Sequence, residues 1–385
     1  MKIKKVTIKK IDDFGPRILK VKTKKQNFEA PTRAINSTEA NYKKKVAGSL
    51  DSLSSYYYEN PIFEIVKNYK KEKLKDMYTK NGPLNNEKKA IRSSLNCYED
   101  KICLFYPRFD KGTILTDKDI KTLIDLQVLT GFDIITIPDL HISASVREFE
   151  KNIVNGRKRI ETMTASKFEA IPYVDMGSEP KLFKAKIDTV LDNGFCIIGI
   201  TNRSIASNYA NYDYLEENKD KEIWIHASNV RRYLSYRRPV SQMHMLQIYG
   251  IDTCALESRK GGPGIKHTPP DRVRRFDAKT LGMITKDEHY SRYGSELNCN
   301  CPICNGKNLE SFYDEYSLNT KGMLDTDYLR THSNIHEVFA SYEEFKRGQD
   351  AIKNNDFKVY INNKEHIKGV EIIKTRSSQT HLFQI

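Results

Sequence analysis

Ile120-Lys121-Thr122-Leu123-Ile124-Asp125-Leu126-Gln127-Val128-Leu129-Thr130-Gly131-Phe132-Asp133-Ile134-Ile135-Thr136-Ile137-Pro138-Asp139 carries the pattern from which the fold is read. Ile120, Leu123, Ile124, Leu126 and Val128 recur at helical spacing, and Gly131 then ends the segment. Asp133–Ile137 is a short apolar run, and Pro138-Asp139 closes it. The alternation continues in both directions. Further short runs lie at Ile102–Tyr106, Ala170–Val174, Phe195–Ile200 and Glu222–His226, with a weaker one leading into Gly250-Ile251-Asp252. Helical patterns fill the gaps, as at Leu182, Phe183, Ile187, Val190 and Leu191. Buried strands alternating with helices predict a parallel sheet. Six or more such units in one row predict an α/β fold of the TIM-like (β/α)8 barrel type. In that fold the C-terminal ends of the strands carry the chemistry.

Those ends are rich in acids. The runs lead into Pro107-Arg108-Phe109-Asp110, Pro138-Asp139, Asp175-Met176-Gly177-Ser178, Gly199-Ile200-Thr201, His226-Ala227-Ser228 and Asp252. One such acid is usually a cap or a loop residue. Four together predict a pocket for a ligand rich in hydrogen-bond donors, with a carboxylate available as nucleophile.

Cys299-Asn300-Cys301-Pro302-Ile303-Cys304 places three cysteines within six residues, in a chain of seven cysteines. A C-x-C-x2-C spacing lets three thiolates converge on one ion, and structural zinc takes four N or S ligands. His332 and His336, one helical turn apart, are the downstream histidines available as the fourth ligand. Residues 1–98 read as a basic segment leading into the barrel. Residues 99–296 are its main part, with a loop insertion over 256–296. A zinc subdomain and closing helix follow over 297–357, and a tail with strand-like pieces over 358–385. Short strands are expected at Lys2–Ile8 and Ile18–Thr23, and a helix over 52–78.

The net charge is +14, and residues 1–50 hold 14 Lys or Arg against 4 Asp or Glu. With 22 Tyr and 16 Phe, this composition suits a polyanionic partner such as nucleic acid. Lys43-Lys44-Lys45 is the densest run of that segment. No stretch reaches the ~20 apolar residues of a membrane helix, and no secretory signal is evident at the start. A cytoplasmic location is expected, which for a phage-encoded protein is the host cytoplasm. A homodimer is left open.

The strand ends and the cysteine cluster together resemble the guanine transglycosylases, which exchange guanine in tRNA or DNA for another base. The resemblance covers about residues 100–357. Gly131-Phe132-Asp133-Ile134-Ile135, ending at Asp139, is similar to the strand whose aspartate reads the incoming base. Asp175 stands where the family has a base-binding glutamine. Gly199 and Ile200 lie on the strand whose amides touch the base. Thr331-His332-Ser333-Asn334-Ile335-His336 resembles the stretch bearing the histidine ligand, with one residue inserted, and favours His332 over His336. Ile251-Asp252-Thr253, followed by Arg259, resembles the nucleophile step, although a rival alignment puts Ala255 there. Asp110 is the general base by position, since the family's Asp-Ser-Gly signature is absent.

The resemblance implies a structural zinc and double displacement through an Asp252 ester. A 7-deazaguanine would be the incoming base, and Arg259 would sit by a phosphate. The missing signature and the basic N-terminal segment favour DNA over tRNA. An inactive barrel that binds nucleic acid is the remaining reading.

Overall fold

In a computed structural model, residues 1–45, 59–110, 112–234, 239–258, 269–319 and 321–367 are described. Two compact units are present. The first comprises Met1–Ser37, Pro61–Val230 and Leu246–Glu257; the second comprises Thr38–Asn60, Arg231–Met245 and Ser258–Ile385.

The first unit holds the barrel. Its eight strands are β4 (Thr32–Asn36), β5 (Ile62–Tyr69), β6 (Ile102–Phe109), β7 (Ile134–Ile137), β8 (Glu169–Asp175), β9 (Ile197–Thr201), β10 (Trp224–Val230) and β11 (Thr253–Leu256). They pair in parallel in the order β6-β5-β4-β11-β10-β9-β8-β7. The two ends of that row meet, because the Asp133 amide donates to the Cys103 carbonyl at 3.2 Å and the Cys103 amide to Asp133 Oδ2 at 2.9 Å. The sheet is therefore a nearly closed TIM-like barrel. Local sequence fixes the crossover helices. Thr116 with Asp119 and Ser145 with Glu148 form capping boxes that start Asp117–Thr130 and Val146–Thr164. Gly131, at φ 95°, ends the first of these.

Three further strands, β1 (Ile3–Ile11), β2 (Arg17–Thr23) and β3 (Asn27–Ala30), form an antiparallel sheet. Val6, Leu19, Val21, Phe28 and Ala30 share one core with Ile62, Ile102, Ile134, Ile197 and Trp224, the first residues of their strands. The sheet thus plugs the N-terminal end of the barrel. Gln26 reaches the Pro61 carbonyl and Lys25 the Lys101 carbonyl, both just ahead of barrel strands. Arg17 fastens the plug. Its Nε and Nη2 hold Asp252 at 2.9 and 2.7 Å, and its remaining N–H groups take the carbonyls of Lys219, Lys221 and Ile223.

Four expectations are corrected. The helix expected over 52–78 gives way at Ile62–Tyr69, which is barrel strand β5; residues 52–58 lie outside the described residues. Ile62, Ile65, Val66 and Tyr69 fall at helical spacing because Glu64, Lys67 and Asn68 interrupt a strand that is otherwise apolar and mostly buried. The loop expected over 256–296 contains the hairpin β12 (Arg275–Asp277) and β13 (Gly282–Ile284), then a helix, Lys286–Tyr293. The strand-like piece at 358–361 belongs to a helix, Phe357–Asn362, and Gly369–Lys374 is outside the described residues. Finally, the run into Asp252 is not itself a strand. Strand β11 begins one residue later, so Asp252 lies at its N-terminal end. No helix among the described residues is long and apolar enough to cross a membrane.

Both side chains of the Arg17–Asp252 pair are 1% exposed. Removing one partner leaves a buried charge alone, at a cost of about 3–5 kcal/mol. Arg17→Met and Asp252→Asn should each lower unfolding free energy by that amount in urea titrations. Arg17→Met/Asp252→Leu should recover part of it.

Candidate active site and metal centre

The barrel mouth is built by the residues that follow the strands. Asp110 is exposed there, just beyond β6. Asp139 lies two residues beyond β7 and is almost buried. Its Oδ2 is 2.6 Å from Lys186 Nζ, while Oδ1 is buried without a hydrogen-bond partner. Burial pushes its carboxyl up to about 6, against the pull of Lys186. Asp175 ends β8 and is held by Arg203 through two bonds, of 2.9 and 2.6 Å, and by the Gly177 amide at 2.8 Å. Three of the four predicted acids therefore gather at one end of the barrel.

Asp252 does not join them. It sits at the opposite end, both oxygens taken by Arg17 and one also by the Ile225 amide at 2.8 Å. Burial pushes this carboxyl up, with Arg17 pulling against it. A carboxylate sealed in this way cannot meet a sugar carbon, so the expected nucleophile is a structural residue. Glu257 instead follows β11 at the mouth, half-buried, its amide donating to the Val230 carbonyl at 2.7 Å. Ala255, the position of the rival alignment, is a core residue of β11. Arg259 lies outside the described residues.

Gly199 and Ile200 are inside the sheet. They pair with Tyr173 and Val174 on one side and with His226 and Ala227 on the other. A Cβ on Gly199 would fall 2.4 Å from the Tyr173 ring, so glycine makes room for that ring. The Ile200 side chain is fully buried.

The barrel interior holds a polar chain that the sequence reading missed. Glu64 Oε2 accepts from Ser228 Oγ and lies 2.9 Å from His226 Nε2. The Tyr173 hydroxyl is 2.7 Å from Ser228 Oγ, and His226 Nδ1 is 2.8 Å from Thr253 Oγ1. Glu64 Oε1 has no hydrogen-bond partner. The Tyr173 ring, part of this chain, lies 5.5 Å from the Tyr106 ring, and burial pushes the Tyr106 hydroxyl up to about 12. His226-Ala227-Ser228 was legible as a strand end; Glu64 was hidden by the helical reading of its segment.

In the second unit, Cys299, Cys301, Cys304 and His336 converge, with ligand atoms all within 4.8 Å of one another. His336 Nδ1 is 3.3 Å from the sulfurs of Cys301 and Cys304 and 3.6 Å from that of Cys299. A tetrahedral zinc with ordinary bond lengths would set S···N edges of about 3.6 Å. His336 Nε2 donates to the Phe276 carbonyl at 2.8 Å, which leaves Nδ1 to face the sulfurs. These four residues fit a metal ion. His332, the favoured ligand, is elsewhere: its ring stacks on Tyr316 at 3.8 Å and its Nδ1 donates to the Tyr328 carbonyl at 2.9 Å. Arg275, also missed, is buried with Nη1 4.0 Å from Cys304 Sγ and Nη2 3.0 Å from His289 Nδ1. With a divalent ion bound, its charge would offset the excess negative charge of three thiolates.

No family model matches the chain, and no curated protein does. Among solved structures it is similar to the carboxyl transferase domain of Rhizobium etli pyruvate carboxylase. That likeness is 10% identity over 92% of this chain and 54% of the other, with a TM-score of 0.37. A xylose isomerase-like TIM barrel/4-hydroxyphenylpyruvate dioxygenase fusion protein gives 12% identity over 62% and 40%, at 0.33. Ribulose-1,5-bisphosphate carboxylase/oxygenase from Pyrococcus horikoshii OT3 gives 12% over 66% and 57%, at 0.27. The chain thus spans about half the length of these proteins, and likenesses this weak carry no argument about activity.

Purified protein should contain about one metal ion per chain by elemental analysis. His336→Ala should lose the ion, while His332→Ala should keep it and lose only stacking.

Proposed function

We propose that the chain is a base-exchanging transglycosylase that replaces guanine in a polynucleotide, DNA ahead of tRNA, with a 7-deazaguanine. The observation that carries this reading is the buried carboxylate of Asp139 at the C-terminal end of a barrel strand, one oxygen on Lys186 and the other unpartnered. An ionised carboxylate only accepts hydrogen bonds, and a guanine-like base presents N–H donors along one edge. Asp175, fixed by Arg203 on the neighbouring strand, is a second acceptor. The adjacent Tyr106 and Tyr173 rings suit a planar base. The net charge of +14 suits a polyanionic substrate.

Since Asp252 is sealed, the nucleophile passes to Glu257. Its carboxylate attacks C1′, the C1′–N9 bond breaks with its electron pair going to guanine N9, which takes a proton from Asp110, and a glycosyl ester forms. The incoming base loses its N9 proton to Asp110. N9 then attacks C1′ and the carboxylate leaves. Two inversions retain configuration, and the target base must first leave its stack. The Cys3His site, filled by zinc, would order the chain and activate no water. A second reading follows from the burial of Asp252: a barrel without a nucleophile, binding polynucleotide as one subunit of a larger enzyme.

The test is incubation with duplex DNA or tRNA and a labelled 7-deazaguanine. Label should enter DNA, with an adduct stable to denaturing electrophoresis, and Glu257→Gln should abolish both. Binding of either polymer without label or adduct would support the second reading. Because protonation turns one Asp139 oxygen from an acceptor into an O–H donor that meets the N–H donors of the base, affinity for the free base should fall as pH drops below about 6. Asp139→Asn should remove that dependence, as read by calorimetric titration.

A further inference from the structure

We infer that the solvent face of the N-terminal sheet is a second polynucleotide-binding surface, at the end of the barrel opposite the mouth. The inference rests on the reading that the substrate is a polynucleotide, and adds to it a second contact far from the chemistry.

The inner face of the sheet is committed to the barrel core through Val6, Leu19, Val21 and Phe28. The period of two along each strand turns Lys5, Lys20 and Lys22 the other way. Lys5 stands directly opposite Lys22 in the β1–β2 register. Like charges facing each other across strands are destabilising, so a folded sheet gains nothing from this arrangement alone. Residues 1–30 hold ten Lys or Arg against three Asp or Glu.

These cations sort by position. Arg17, Lys25 and Lys2 turn to the barrel and pair with Asp252, Asp133 and Glu169. Lys5, Lys20 and Lys22 form no ion pair among the described residues. Three lysines against one carboxylate, Glu29 opposite Lys20 in the β2–β3 register, leave this face with an excess of positive charge, which releases counterions when phosphates arrive and so drives binding.

A membrane surface is the other common polyanion. It is disfavoured because none of the exposed large apolar side chains lies in residues 1–30, so nothing there can enter an acyl layer.

Position sets the consequence. Strand β5 has 8 residues, and at about 3.3 Å per residue with a tilt of about 36° the barrel is about 20 Å tall. A nucleotide in the mouth and a phosphate on the sheet therefore belong to different stretches of one long polymer, or to two polymers.

The test uses the full chain with the triple variant Lys5→Gln/Lys20→Gln/Lys22→Gln. Binding to a fluorescent duplex of about 40 base pairs is followed by anisotropy between about 50 and 200 mM salt. At about −0.9 per phosphate contact, the slope of log K against log salt should become shallower by about 2.7. A charge-matched control, Lys75→Gln/Lys89→Gln/Lys121→Gln, changes exposed lysines on the outer helices and should leave the slope nearly unchanged. Equal shallowing in both variants would mean that only net charge matters, and would overturn the inference. An unchanged slope in the triple variant would overturn it too, as would loss of binding to phosphatidylserine vesicles with duplex binding intact. Binding is read without base exchange. A chain that binds in this way but exchanges nothing sinks the proposed activity alone; an active chain with an unchanged slope sinks this inference alone.

Discussion

The buried pair of Arg17 and Asp252 is the constraint on which the first unit depends. A barrel of eight strands has two open ends, and apolar residues at the strand starts need cover. Here the cover is a three-stranded sheet whose most buried polar tie to the barrel is one guanidinium. Arg17 spends all five N–H donors: two on Asp252 and three on the carbonyls of Lys219, Lys221 and Ile223. A lysine, with a compact ammonium and three donors, could not span these acceptors. Desolvating two charges is costly, and the pair survives because all five Arg17 protons and both Asp252 oxygens have partners. The pair also fixes the start of β11, because the Asp252 carbonyl accepts from the Thr32 amide at 2.9 Å and so leads into the β4–β11 ladder.

That one residue explains the largest gap between sequence and structure. The alternation of short apolar runs with amphipathic segments was sufficient to read the barrel, since parallel strands and covering helices leave that rhythm in any chain. Strand β5 escaped because Glu64, Lys67 and Asn68 break its apolar run and leave Ile62, Ile65, Val66 and Tyr69 at helical spacing. Asp252 was read at a strand end rather than a strand start, because at the weakest apolar run the strand lies wholly after Asp252, over Thr253–Leu256, and not before it. In a barrel that difference moves a side chain from the face of chemistry to the face of stability. Arg17 could not be paired with it from sequence, because the partners are 235 positions apart.

The metal cluster shows the same division between local and distant information. Three cysteines within one tight loop declare themselves, because their convergence needs only local backbone. The fourth ligand depends on how helix Thr326–Lys353 sits against the β12–β13 hairpin. His332 and His336 share that helix one turn apart, and only the packed structure separates them. Tyr316 and Tyr328 enclose the His332 ring, while Phe276 and Arg275 meet the Nε2 edge of His336.

The interior of the barrel is where packing alone explains least. Most barrel interiors are filled by branched apolar side chains, yet Glu64, His226, Ser228 and Tyr173 form a hydrogen-bonded chain across three strands here. Burying a carboxylate is costly, and Glu64 is fully buried with one oxygen unpartnered. Apolar residues of similar size would fill the space at lower cost. What they would not do is orient Tyr173. Its hydroxyl is tied through Ser228 to Glu64, and its ring occupies the room left by Gly199. Tyr173 in turn meets the Tyr106 ring, 5.5 Å away, two residues before Asp175 on the same strand. The polar chain thus fixes the position of the Tyr173 ring within the barrel.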